Sequence, residues 1–146
     1  MTAVLRVDGP ELDVEECRKW LPEGSLECVW QVGEKSRRGE VRTTSGFNLV
    51  LSESENPREL VRETLRVFAV VAGRVADLVR GGATAEIDFA LFVTARGPES
   101  LILGPEVLRR IEQHGVGVTV SAYPCSEDDD EDDDDSGNGA GSAQNH

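Results

Sequence analysis

Apolar and polar residues alternate with period two at the N-terminus. Ala3, Leu5 and Val7 fall on one side, Val4, Arg6 and Asp8 on the other, which predicts a half-buried strand. Asp13 then stands where a helix N-cap belongs, ahead of Val14, Cys17 and Leu21 with Trp20 beside them, and Pro22 and Gly24 close this short helix. Leu26, Cys28, Trp30 and Val32 alternate with Glu27, Val29 and Gln31 as a second strand. A charged loop, Gly33–Glu40, leads to a third, with Phe47, Leu49 and Leu51 on one face and Asn48, Val50 and Ser52 on the other.

The pattern then changes period. Asn56, Pro57 and Glu59 supply an N-cap, a proline at the first helical position and an early acid. From there Val61, Leu65, Phe68, Ala72, Val75 and Val79 step by four and three, widened by Leu60, Val71 and Leu78, until Gly81 and Gly82 end the helix. A helix over Pro57–Arg80 is roughly 36 Å long, enough to cross a whole sheet. Ile87, Phe89, Leu91 and Val93 alternate with Glu86, Asp88, Ala90 and Phe92 as a fourth strand. Pro105 to His114 predicts a third helix with Val107, Leu108 and Ile111 inward, closed by Gly115. Val116, Val118, Val120 and Ala122 alternate with Gly117, Thr119, Ser121 and Tyr123 as the last strand.

The expected fold class is therefore α+β: a ferredoxin-like β-α-β-β-α-β core with an additional α-β at the C-terminus. Because every strand alternates, the mostly antiparallel sheet is expected to be covered by helices on one face only. Its other face would present Arg6, Gln31, Asn48, Glu86, Asp88, Phe92, Thr119 and Tyr123.

Charge adds a boundary. Glu127 to Asp135 are nine consecutive acids, and the chain ends in a Ser/Gly/Asn-rich stretch. Such a block repels itself and has nothing apolar to bury. Residues 1–125 are thus expected to form a single α+β domain and residues 126–146 a disordered acidic tail. The run holds nine of the 28 acidic residues; the other 19 face 15 Lys and Arg. An acidic chain is expected to bind neither nucleic acid nor an anionic membrane surface. Three cysteines without close pairing, and an N-terminus broken by Arg6 and Asp8, point to a reduced cytoplasmic protein.

Catalytic chemistry finds little to use. His114 and His146 are the two histidines, and His114 stands where an imidazole favours a helix C-terminus. Cys17 and Cys28 are placed on apolar faces as small core residues, and Cys17, Cys28 and Cys125 lack a metal-ligand spacing. Glu86 and Asp88 share one strand face about 7 Å apart, close enough for acid–base work, yet also where a solvated sheet face carries its charges. No cofactor and no metal are expected. Lys35, Arg37, Arg38 and Arg42 form the one basic concentration, readable as an anion-docking loop for a partner's acidic patch or for the acids Glu127, Asp128, Asp129 and Asp130 of the tail.

The stretch Gly33–Glu40, then Ser45-Gly46-Phe47, the long Leu-rich helix and the final strand resemble a bacterial family of uncharacterised proteins, domain of unknown function 4279. Members carry a tryptophan where Phe47 stands. The resemblance implies a compact α+β domain without an established active site, and some such small bacterial domains are associated with immunity against secreted toxins. The function expected is a non-catalytic protein-binding module, of the immunity type, that neutralises a basic toxin or engages another basic partner. The alternative is a small-molecule-sensing or regulatory domain acting as a homodimer.

Overall fold

The computed structural model of the chain describes residues 1–93 and 100–124. The expected tail, with Cys125 and Glu127–Asp130, lies outside the described residues. Eight elements follow one another: β1 (Thr2–Gly9), α1 (Val14–Arg18), β2 (Leu26–Trp30), β3 (Ser45–Glu53), α2 (Pro57–Arg80), β4 (Thr84–Val93), α3 (Pro105–Glu112) and β5 (Gly117–Pro124). The five strands form one sheet in the order β2-β3-β1-β4-β5. All neighbours are antiparallel except β4 and β5, which are parallel because α3 carries the chain between them. The fold is α+β, with a mostly antiparallel sheet and three helices.

Local chemistry explains the helix starts. The Asp13 carboxylate accepts from the Glu16 amide at 3.1 Å. The Asn56 side chain accepts from the Arg58 and Glu59 amides at 3.0 and 3.2 Å, two of the donors that a helix start leaves without partners. At the far end of α2, Gly82 takes φ +103°, a conformation that a Cβ would oppose. The buried stripe of α2, including Leu60, Leu65, Phe68, Val71 and Val75, lies on Leu5, Val7, Phe47, Leu49, Ile87 and Phe89 of the three central strands. Thr64 sits inside that stripe and is satisfied by donating to the Leu60 carbonyl at 2.7 Å.

The helices cover one face, and alternation places most strand residues as expected. Several positions differ. Val32 and Val93, expected inward, are exposed. Cys28 is exposed and not in the core, because the β2–β3 register shifts between Leu26 and Cys28. The bulge turns Leu26 and Val29 inward, opposite Leu49 and Phe47, and leaves Cys28 opposite Asn48 on the open face. Ser52 is buried and not on the open face: a second shift, between Ala3 and Val4, sets it opposite Ala3, and its hydroxyl donates to the Leu60 carbonyl at 3.3 Å. Val120 and Leu108 are exposed where inward positions were expected. The eight-residue α3 is too short to roof the whole of β5.

Candidate functional site

The uncovered face of the sheet gathers polar groups from four strands at positions fixed by the register. Arg6 on β1 faces Asn48 on β3 and Glu86 on β4. Its Nε donates to Asn48 Oδ1 at 3.3 Å, and its guanidinium lies 3.7 Å from Glu86 Oε1. Glu86 Oε2 accepts from the Thr119 hydroxyl of β5 at 3.1 Å. One residue pair along, the Ser121 hydroxyl lies 2.9 and 3.0 Å from the two oxygens of Asp88. Phe92 and Tyr123 form an aromatic pair with centroids 5.9 Å apart at the end of the same face. The sequence placed Arg6, Asn48, Glu86, Asp88, Phe92, Thr119 and Tyr123 on this surface. It also placed Gln31 there, which falls just beyond β2, and did not single out Ser121.

At the opposite end, the connection from β2 to β3 folds over the face. The loop is less open than its charges suggest. Arg42 ties the two sides of the loop, its carbonyl accepting from the Gly33 amide at 2.8 Å and its amide donating to the Glu34 carbonyl at 2.8 Å, and Lys35 bridges Val41. Ser36 closes the tip: its carbonyl accepts from the Gly39 amide at 2.9 Å, and its hydroxyl accepts from the Arg38 and Glu40 amides. Gly39 supplies the positive φ, +82°, that this tight turn requires. Arg37 and Arg38 are thereby held at the tip.

Beneath the loop lies Trp30. Its ring covers Gly46, where a Cβ would come within 2.4 Å of it. The Arg42 guanidinium sits 4.9 Å from the ring centroid, within cation–π range. Trp30 is only 7% exposed, and its indole N–H has no acceptor among the described residues. A groove of about 700 Å³ results, walled by Arg6, Cys28, Trp30, Arg37, Arg38 and Arg42, with Asp8 and Glu40 as its acids. Of the four basic residues singled out in sequence, the structure brings Arg37, Arg38 and Arg42 together here, whereas Lys35 is not part of the wall. The three arginines have no ion-pair partner among the described residues.

Trp30 and Cys28 were missed as groove residues. The Trp30–Gly46 pairing offers one legible signal, since a large ring beside a strand glycine has room to lie flat. The exposed thiol depended on the bulge and had none.

The residues weighed for catalysis do not converge. His114 packs edge-on against Phe68, centroids 5.7 Å apart, on the helix side of the sheet. Glu86 and Asp88 open on the other side, each already engaged. Cys17 is buried on the inner side of α1, and its thiol is pushed up to about 11 by burial and by the nearby charges of Asp13 and Glu16. Among the described residues, no group of three or more His, Cys, Asp or Glu is placed to hold a metal ion. No helix among them is long and apolar enough to cross a membrane. Comparison with family models, curated proteins and solved structures returned no match to any of them.

Proposed function

We propose that the chain is a non-catalytic protein-binding module that works through the open face of its sheet. The observation that carries this reading is the pre-tied polar surface running from Asn48 through Arg6 and Glu86 to Thr119, continuous with the arginine groove. Carboxylates already engaged by Arg6, Thr119 and Ser121 are held in place for recognition and are poorly free to shuttle protons. A surface whose side chains are fixed before contact loses little entropy on binding. The groove offers anion-docking cations to an acidic patch on the partner. The nine-acid run draws in a basic one, as an immunity-type protein would require for a basic toxin. The antiparallel order β4-β1-β3-β2 supports a ferredoxin-like core extended by α3 and β5. The kinship with domain of unknown function 4279, resting on Gly33–Glu40 and Ser45–Phe47, belongs to the same proposal.

Capture from native lysate with the full chain tests the module. A partner retained at low salt and lost from both an Arg6→Ala/Asn48→Ala variant and an Arg37→Glu/Arg38→Glu variant is the expected result. Equal capture by all three proteins would refute the open face as the working surface. A toxin gene beside the coding gene would fix the immunity class.

The groove's volume favours a second reading, since about 700 Å³ is within the range of small-molecule pockets. A sensing domain should be stabilised by an anionic metabolite in a thermal-shift screen, by about 2.7 kcal/mol at 100 times its Kd. A screen without shifts removes that reading.

A further inference from the structure

The sheet ends at β5, and among the described residues nothing pairs with its outer side. Gly117–Pro124 carries no charged residue, and its one proline is the last residue. Charges, prolines and bulges are the usual devices that keep an edge strand from pairing. The other edge, β2, is only five residues long, is bulged and carries Glu27. Beside the bare edge, Val120 is 51% exposed, Tyr123 49% and Phe92 of β4 46%. Among the described residues, nothing shields the backbone groups and apolar side chains of this edge from water.

We propose that β5 pairs antiparallel with β5 of a second copy about a twofold axis at Val120, joining the two sheets into one of ten strands. This goes beyond the open-face reading and does not depend on it. Charge selects the direction. The acidic run begins three residues after Pro124. Parallel pairing would lay two such runs side by side at about 4.8 Å, well inside a Debye length of about 10 Å. Antiparallel pairing about Val120 sends them to opposite ends, from Pro124 residues about 26 Å apart.

Side-chain alternation selects the register. Residues directly opposite in an antiparallel pair share a face, so a symmetric pairing centres on a residue. Centred on Val120, it sets Val120 against its own copy and Val118 against Ala122 on the helix-covered side. On the open side Tyr123 then lies over Gly117 of the other copy, which has no side chain to displace the ring. Centring on Ser121 would instead place Pro124, which lacks an N–H, opposite Val118 inside the ladder.

The interface sits at the small end of specific pairs, so dissociation belongs roughly in the micromolar range. Sedimentation equilibrium of the full chain from about 1 to about 200 µM is expected to show monomer passing to dimer. Val120→Lys is expected to raise the dissociation constant at least about tenfold without lowering the melting temperature. In a Cys28→Ser/Cys125→Ser background, Val120→Cys is expected to be joined to its copy at residue 120 by a short bis-maleimide. A chain monomeric at every concentration overturns the proposal, whatever other strand covers the edge. So does a dimer unaffected by Val120→Lys. Should that variant melt early, the cross-link decides alone, and its absence overturns the proposal.

Discussion

At the scale of single residues, the groove depends on one missing side chain. Trp30 lies flat because Gly46 has no Cβ. An added methyl would meet the ring at 2.4 Å and the Val7 carbonyl oxygen at 2.5 Å. The carbonyl belongs to a central strand and cannot move aside, so the indole must. Gly46→Ala is expected to cost about 1–3 kcal/mol as an overpacking change, and to free Arg42 from the ring. Chemical denaturation measures the loss, and a red shift of tryptophan emission reports the displaced indole. The two described cysteines offer a second check. Cys28 is exposed and Cys17 buried, so iodoacetamide at mildly alkaline pH should label Cys28 and spare Cys17 until the chain unfolds. The fold favours the neutral Cys17 thiol, raised from 9.0 to about 11. Its contribution is therefore complete below about pH 9 and is lost as pH rises toward 11. Melting temperature should fall more steeply over that window in the native chain than in Cys17→Ala.

At the scale of elements, α2 organises the domain. It spans 24 residues and lies across β3, β1 and β4, so its entry angle fixes the packing of the core. That entry is set by Asn56, whose side chain holds two amides of the first turn. Asn56→Ala is expected to cost about 1 kcal/mol, a fall of about 4 °C in melting temperature, with the denaturant slope unchanged. Long amphipathic α2 was legible to its last residue because nine buried positions repeat one spacing and both caps have chemical signatures. Short α3 was legible only in part. It runs to Glu112, not His114, and Ile111 is its one buried residue, since eight residues give too few turns to say which apolar side chain meets the sheet.

At the scale of the molecule, the basic groove and the acidic run are tied to opposite corners. Pro124 pairs with Val93 at one end of the sheet, while Arg6 pairs with Glu86 seven residues further along β4 and two strands over. The groove lies further still, between β1 and β2. Strand spacing and rise put it about 30 Å from Pro124. Fully extended, the backbone reaches about 21 Å by Asp130 and about 37 Å by Asp135. The first four acids therefore fall short of Arg37, Arg38 and Arg42 within one molecule, and only the last few reach. Replacing Glu127–Asp130 with Gln and Asn is expected to leave tryptophan emission unchanged and to move the melting temperature by less than about 2 °C at low salt. A loss that added salt erased would mean that the run docks on its own domain after all.

Sequence alone determined the α+β class, the strand and helix count, the caps of α1 and α2 and most of the polar residues of the open face. Each is a local property: period two or period 3.6, a capping side chain, a glycine that ends a helix. The tertiary structure decided where those periods slip. The bulges at Leu26/Cys28 and Ala3/Val4 arise from fitting one strand against its neighbour, and they moved Cys28 out of the core and Ser52 into it. It also decided which charges meet. Arg6 and Glu86 are 80 positions apart and share a contact only because β4 lies beside β1, and Arg42 finds Trp30 only because the loop folds back. Pairing between distant strands depends on the whole core closing at once, and no window of the sequence contains that information.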